Sequence, residues 1–394
     1  MVRTPPSAAD QLLLQLVADC GTKVSGRQLE RWRARPWPLL PANPRSRPGR
    51  PVGGSTSTTN PAVVDLVVWL GQHSRPGADP FYLALGAFGA ELPVPEETVR
   101  EAFTRQVVRL AERMTDQLGP VPATGDVQEW VSDRADEIAQ QGARRLTGVN
   151  RRIRAIDKQL RQLPAVAELW KFAAGFDPDR ADIEPLDNTG VLFHGLAAAV
   201  GGADGIAPEV VARIARAQAG REVPQYTAHL LETDPLDPLI AIRHTPPHQL
   251  PGLPSESVVN HFLSVAREAP LERLRAGWAT AGEMAGWAEA LCQAVETELS
   301  SEPPGGDACL EWVFGQLFGI GRMYLIKGLA EPSPTPGQQA LTALELVFSF
   351  DAINKVLATT DADGHETLHR LAPPFLLRLA AVETRSAGPS EVSP

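Results

Sequence analysis

Cysteine is scarce in this 394-residue chain: Cys20, Cys292 and Cys309 are the whole complement. Three thiols so far apart suit neither a disulfide framework nor a cysteine-based metal cluster. They read as small buried hydrophobes of a reducing compartment. Long apolar runs are missing too. No stretch approaches the roughly 20 residues that span a bilayer, so no membrane partner is expected. The apolar Leu12–Cys20 stretch is short, is broken by Gln15, and puts Asp19 where a small residue would precede a lipidated cysteine. The expected location is therefore cytoplasmic. A phosphate-binding glycine loop, a nucleophile elbow and a catalytic carboxylate pair are all lacking, so the chain reads as a non-enzyme without a cofactor.

What the chain does have is an uneven charge. The formal net charge is -10, yet residues 1–60 carry nine basic side chains against Asp10, Asp19 and Glu30. That end is +6 and the remainder -16. A basic end on an acidic chain is the asymmetry of a nucleic-acid-binding domain joined to something else. Hydrophobic residues make up 43% and charged residues 21%, enough for a sizeable core in two or three domains. Arginine far outnumbers lysine, and alanine and proline are abundant, a composition typical of GC-rich bacteria.

Apolar spacing predicts helices almost throughout. Leu12, Leu13, Leu16 and Val17 form one stripe, stopped by Gly21. Ser25 stands three residues before Gln28, a capping-box pattern that opens a second helix over 25–35. Leu29 and Trp32 give it a buried face, and Pro36 and Pro38 end it. After a Pro/Gly/Ser/Arg-rich loop, Pro61 opens a third helix through Val64, Leu66, Val67 and Leu70. Pro95, Glu96 and Glu97 suit a helix start, with a stripe from Val99 through Phe103 and Val107 to Leu118. Leu146, Val149, Ile153, Ile156, Leu160 and Leu163 follow heptad spacing, which suits either a dimerising helix or a helix packed within its own core. Further helices are expected near 207–219, 256–268, 270–299, 307–329, 337–358 and 366–382. Domain boundaries follow: 1–75 for DNA binding, 80–165 for long helices, 166–383 for a helical sensor or interaction domain, and a tail at 384–394.

The segment Lys23 to Arg33 carries the chemistry. With Leu29 and Trp32 facing in, Arg27, Arg31 and Arg35 fall four apart on the outward face. The arginine fork matches the guanine edge, and Gln28 suits adenine or a phosphate. Arg45, Arg47 and Arg50, among glycines and with Ser55 and Thr56 nearby, suit phosphate contacts; the same loop also reads as a linker. Val24 and Ser25, then Arg27, Leu29 and Trp32, then Leu39, Leu40 and Pro41 resemble the MerR-type helix-turn-helix. Pro38 replaces the exit glycine of that family, and the stretch from Arg45 to Gly54 lacks its Gly-Tyr-Arg wing pattern. The resemblance covers roughly residues 10–70. It implies a winged helix-turn-helix on double-stranded DNA, with Lys23, Ser25, Arg27, Gln28, Arg31 and Arg35 at the interface. It also implies a dimerising helix, for which 146–163 is the candidate; the body from about residue 80 is expected to dimerise, sense a small-molecule effector or contact another protein.

The expected fold class is thus mainly α: an N-terminal winged helix-turn-helix followed by a large all-helical domain, working as a transcriptional regulator. Two rivals stand beside it. His365, Glu366 and His369 match the zinc-protease spacing, although Asp361, Asp363 and Arg370 give it an unusual context. Alternatively, the basic end docks on an acidic protein and the chain is a scaffold.

Overall fold

Residues described in the computed structural model are 7–41, 61–118, 147–175, 208–220, 258–317 and 320–357, with 137, 177, 186, 190, 223–225, 228 and 229 between them. Among these residues the chain is mainly helical and has no strand. No described helix is long and apolar enough to cross a membrane.

Local signals set the helix starts. Helix α1 spans Ala8–Asp19, and the Ser7 hydroxyl accepts from the Asp10 N–H. It ends where Gly21 adopts φ +78°, the left-handed stop that the glycine suggested. Helix α2 spans Gly26–Trp32 and has the expected capping box. Helix α3, Pro61–His73, buries Leu66, Val67 and Leu70. Asp79 caps α4, Pro80–Gly89, with proline at its first position. Helix α4 is buried on most sides, through Phe81, Leu83, Ala84, Leu85, Ala87 and Phe88, as a central helix must be. Helix α5, Glu96–Leu118, starts at the predicted acidic turn and buries Val99, Phe103 and Val107.

The chain continues with α6 at 147–160, α7 at Pro164–Gly175 and α8 at Pro208–Ala219. Then come α9 at Val258–Glu268, α10 at Leu271–Leu299, α11 at Asp307–Leu317, α12 at Ile320–Ala330 and α13 at Pro336–Leu357. Where α9 ends, Arg100 of α5 donates to the Ala269 carbonyl at 3.0 Å, satisfying an orphan acceptor of the last turn. Glu298 of α10 accepts from the Ala308 and Cys309 N–H groups at 3.0 and 2.8 Å and so caps α11.

Helix α10 is the spine. Its 29 residues reach about 43 Å at 1.5 Å per residue, and it packs on α11, α12 and α13. Two glycines let neighbouring backbones close in. A Cβ on Gly277 would stand 2.9 Å from the Ala343 carbonyl oxygen of α13, and one on Gly328 of α12 would stand 2.7 Å from that of Met284. Only glycine tolerates such approaches.

Two hydrophobic clusters flank this spine. The first runs from Leu13 and Val17 of α1 through Leu29 and Trp32 of α2, α3, α4 and α5. It continues into α9, the N-terminal half of α10 and α13, as far as Phe350. The second joins α6, α7 and α8 to α11, α12 and the C-terminal half of α10, where it includes Ala288, Leu291, Cys292 and Val295. Here the heptad stripe meets its partners. Ile153, Ile156, Leu160 and Leu163 are buried in this second cluster, within one chain. Those four stripe residues take the own-core reading, because α10 and α11 offer them apolar partners at no association cost.

Two carboxylates in the region of the second cluster are well matched. Asp157 of α6 accepts from Trp312 Nε1 at 2.8 Å and from Arg322 Nη2 at 2.7 Å, and also bonds Gln316. Arg216 of α8 holds the buried Asp177 with two parallel bonds of 2.8 and 2.7 Å. Trp312, Tyr324 and Phe350 are buried in these two clusters. The loop at 42–60, the helix expected at 366–382 and the tail lie outside the described residues.

Candidate nucleic-acid interface

The basic surface is built on α2. Ser25 Oγ accepts from the Gln28 N–H at 3.3 Å, while Gln28 Oε1 accepts from the Ser25 N–H and hydroxyl at 2.9 Å each. This reciprocal closure fixes where the helix starts. Leu29 and Trp32 are 1% and 3% exposed and anchor α2 on the first cluster. With that side committed, Arg27 and Arg31 stand exposed on the other, and Lys23 is exposed in the turn before them.

Supports come from three directions. Gln72 of α3 reaches Thr22 in the α1–α2 turn at 3.5 Å. Arg33 Nη1, just past the end of α2, forms an ion pair with Asp10 near the start of α1. The Thr98 hydroxyl of α5 donates to the Pro38 carbonyl at 2.7 Å, pinning the segment that leaves α2.

Two expectations change here. Helix α2 stops at Trp32 rather than at 35, so Arg35 lies beyond it and the ridge of three arginines is a pair on the helix plus one exposed side chain downstream. Pro36 disfavours the helical conformation at Arg35. In addition, the Leu39 and Leu40 N–H groups return to the Trp32 carbonyl at 2.7 and 3.2 Å and close the end. Ser25 and Gln28 form the cap. With Gln28 Oε1 occupied, the amide fork needed for bidentate adenine reading is half used. Sequence reasoning missed the Asp10–Arg33 pair and the Thr98 tether, which join residues far apart in the chain and leave no local signature.

Arg45, Arg47 and Arg50 lie outside the described residues, as do His365, Glu366 and His369. Among the described residues no three His, Cys, Asp or Glu side chains are grouped to hold a metal ion. Elsewhere, Arg152 of α6 spans Glu296 and Glu289 of α10 at 2.7–2.9 Å. Its hydrogen bonds hold both carboxyls below the usual range. Burial pushes the thiols of Cys292 and Cys309 up to about 11, which leaves them weak nucleophiles. The chain matches no family model, and no curated protein sequence and no solved structure matches it.

Proposed function

We propose that the protein is a DNA-binding transcriptional regulator whose helix α2 enters the major groove. One observation carries this reading: Arg27 and Arg31 are exposed on a capped helix whose opposite side is locked down by Leu29 and Trp32. A recognition helix needs such a division, one face for its own fold and one for base edges. Lys23 and Arg35 flank the pair and suit phosphates, as do Arg45, Arg47 and Arg50 in the loop that the MerR-type resemblance makes a wing. The net charge of -16 outside the first sixty residues repels nucleic acid and confines contact to this end.

Fluorescence anisotropy of the full chain with labelled duplex DNA, titrated with salt, tests the proposal. Affinity is expected to fall steeply with salt, with a log–log slope of about -0.9 per phosphate contact. Removing Arg47 or Arg50 flattens that slope for every sequence. No salt-sensitive binding, or binding unchanged by the paired Arg27→Ala and Arg31→Ala substitution, overturns it. Capture of an acidic protein in place of DNA transfers the basic surface to the scaffold reading.

A further inference from the structure

Among the features of the molecule, the spacing of the two outward arginines says most about a ligand. We infer that α2 selects duplexes carrying two guanines on one strand, adjacent or separated by a single base pair; this rests on the DNA-binding reading above.

Arg27 and Arg31 lie four residues apart on α2, which places them about 6 Å apart along the helix axis and about 40° apart around it. Stacked bases repeat every 3.4 Å along a strand, so about 6 Å is close to two base steps. Both guanidinium groups therefore reach neighbouring base edges without the helix moving. In the major groove guanine alone offers two acceptors side by side, a ring nitrogen and a carbonyl oxygen, which the arginine fork meets with two parallel hydrogen bonds.

The rest of the surface favours base reading over phosphate binding. Helix α2 is only seven residues long, so little else on it can reach the groove floor. The exposed Glu30 stands on the flank of the arginine pair, about 60° from Arg27 around the helix. Its carboxylate repels phosphates, so laying this face along the backbone is unfavourable, whereas a groove floor can meet it with the amino group of cytosine. Gln28 is engaged in the cap, which leaves the two arginines as the strongest readers on the helix.

Selection from a random duplex pool with the full chain, followed by anisotropy on the selected site, tests the inference. The expected outcome is enrichment of the guanine pair. A deaza-guanine lacking the ring-nitrogen acceptor at either position should then weaken binding by roughly tenfold. Arg27→Lys and Arg31→Lys keep the charge but lose the fork. Each should abolish discrimination at one guanine, cutting the preference for the selected site over unselected DNA by roughly tenfold. Both positions are exposed, so circular dichroism should show both variants folded. Salt-sensitive binding without a guanine pair, or a pair indifferent to both lysine variants, overturns this inference and leaves the DNA-binding reading standing. Failure to retain any DNA removes both.

Discussion

Replacing Ile156 with alanine separates two roles for the heptad stripe. Ile156 is 2% exposed and lies in a cluster with Leu291, Cys292 and Val295 of α10 and with Trp312 and Val313 of α11. The substitution removes three buried carbons. At about 0.8 kcal/mol each, the transfer term alone is about 2.4 kcal/mol. The rigid surroundings leave part of the space empty, which raises the total to roughly 3–4 kcal/mol. All the partners belong to the same chain, so this loss should not depend on protein concentration. Urea unfolding monitored by tryptophan fluorescence, repeated at widely different concentrations, measures both quantities. A midpoint that rises with concentration in the parent protein, joined to a smaller particle by light scattering in Ile156→Ala, would refute the assignment, because mass action then places the stripe between subunits.

Three further outcomes follow from the described contacts. Cys20 is exposed whereas Cys292 and Cys309 are buried with raised thiol pKa values; one thiol should react promptly with an aromatic disulfide reagent and the other two only after denaturation, and three equally fast thiols would contradict the fold. Glu289 and Glu296 are held low by Arg152, and although burial opposes ionisation of Glu298, the Ala308 and Cys309 N–H groups more than offset it. Folded carboxyls below their unfolded values add stability that is fully present above the ordinary glutamate pKa of about 4.3 and is lost as pH falls through that value and below; Arg152→Gln should flatten the acid limb of urea midpoint against pH, and an unchanged limb contradicts the assignment. Asp10→Ala and Arg33→Ala should each cost up to about 1 kcal/mol, and their double-mutant cycle should return a favourable coupling, since the pair is only partly exposed; strictly additive losses would mean that no strut exists.

Much of the candidate site was legible because its signals are local. The Ser25–Gln28 pairing lies within one helical turn, and the three-residue step from Leu29 to Trp32 marks the inner face of α2. Those two facts put Arg27 and Arg31 outside. What sequence misjudged on α2 was its length and the use of Gln28. Its end depends on Leu39 and Leu40 folding back to Trp32. Gln28 has two uses for one amide oxygen, and the cap takes it. For the same reason Asp10 and Arg33 looked like unrelated surface charges.

By itself the amino-acid sequence determined where several helices begin and which side of each is apolar: proline, serine and acidic starts at 25, 61 and 95–97 act within a turn or two, and so does periodicity. It also determined the charge imbalance between the two ends. Only the tertiary structure decided what each apolar side meets. Ile153, Ile156 and Leu160 could have faced a second copy, but α10 and α11 of the same chain cover them. Asp157 found Arg322, 165 residues away. The physical reason is that burial rewards removal of apolar surface from water without regard to direction or to distance along the chain. A stripe therefore announces that it will be covered, and the packed chain alone chooses the cover.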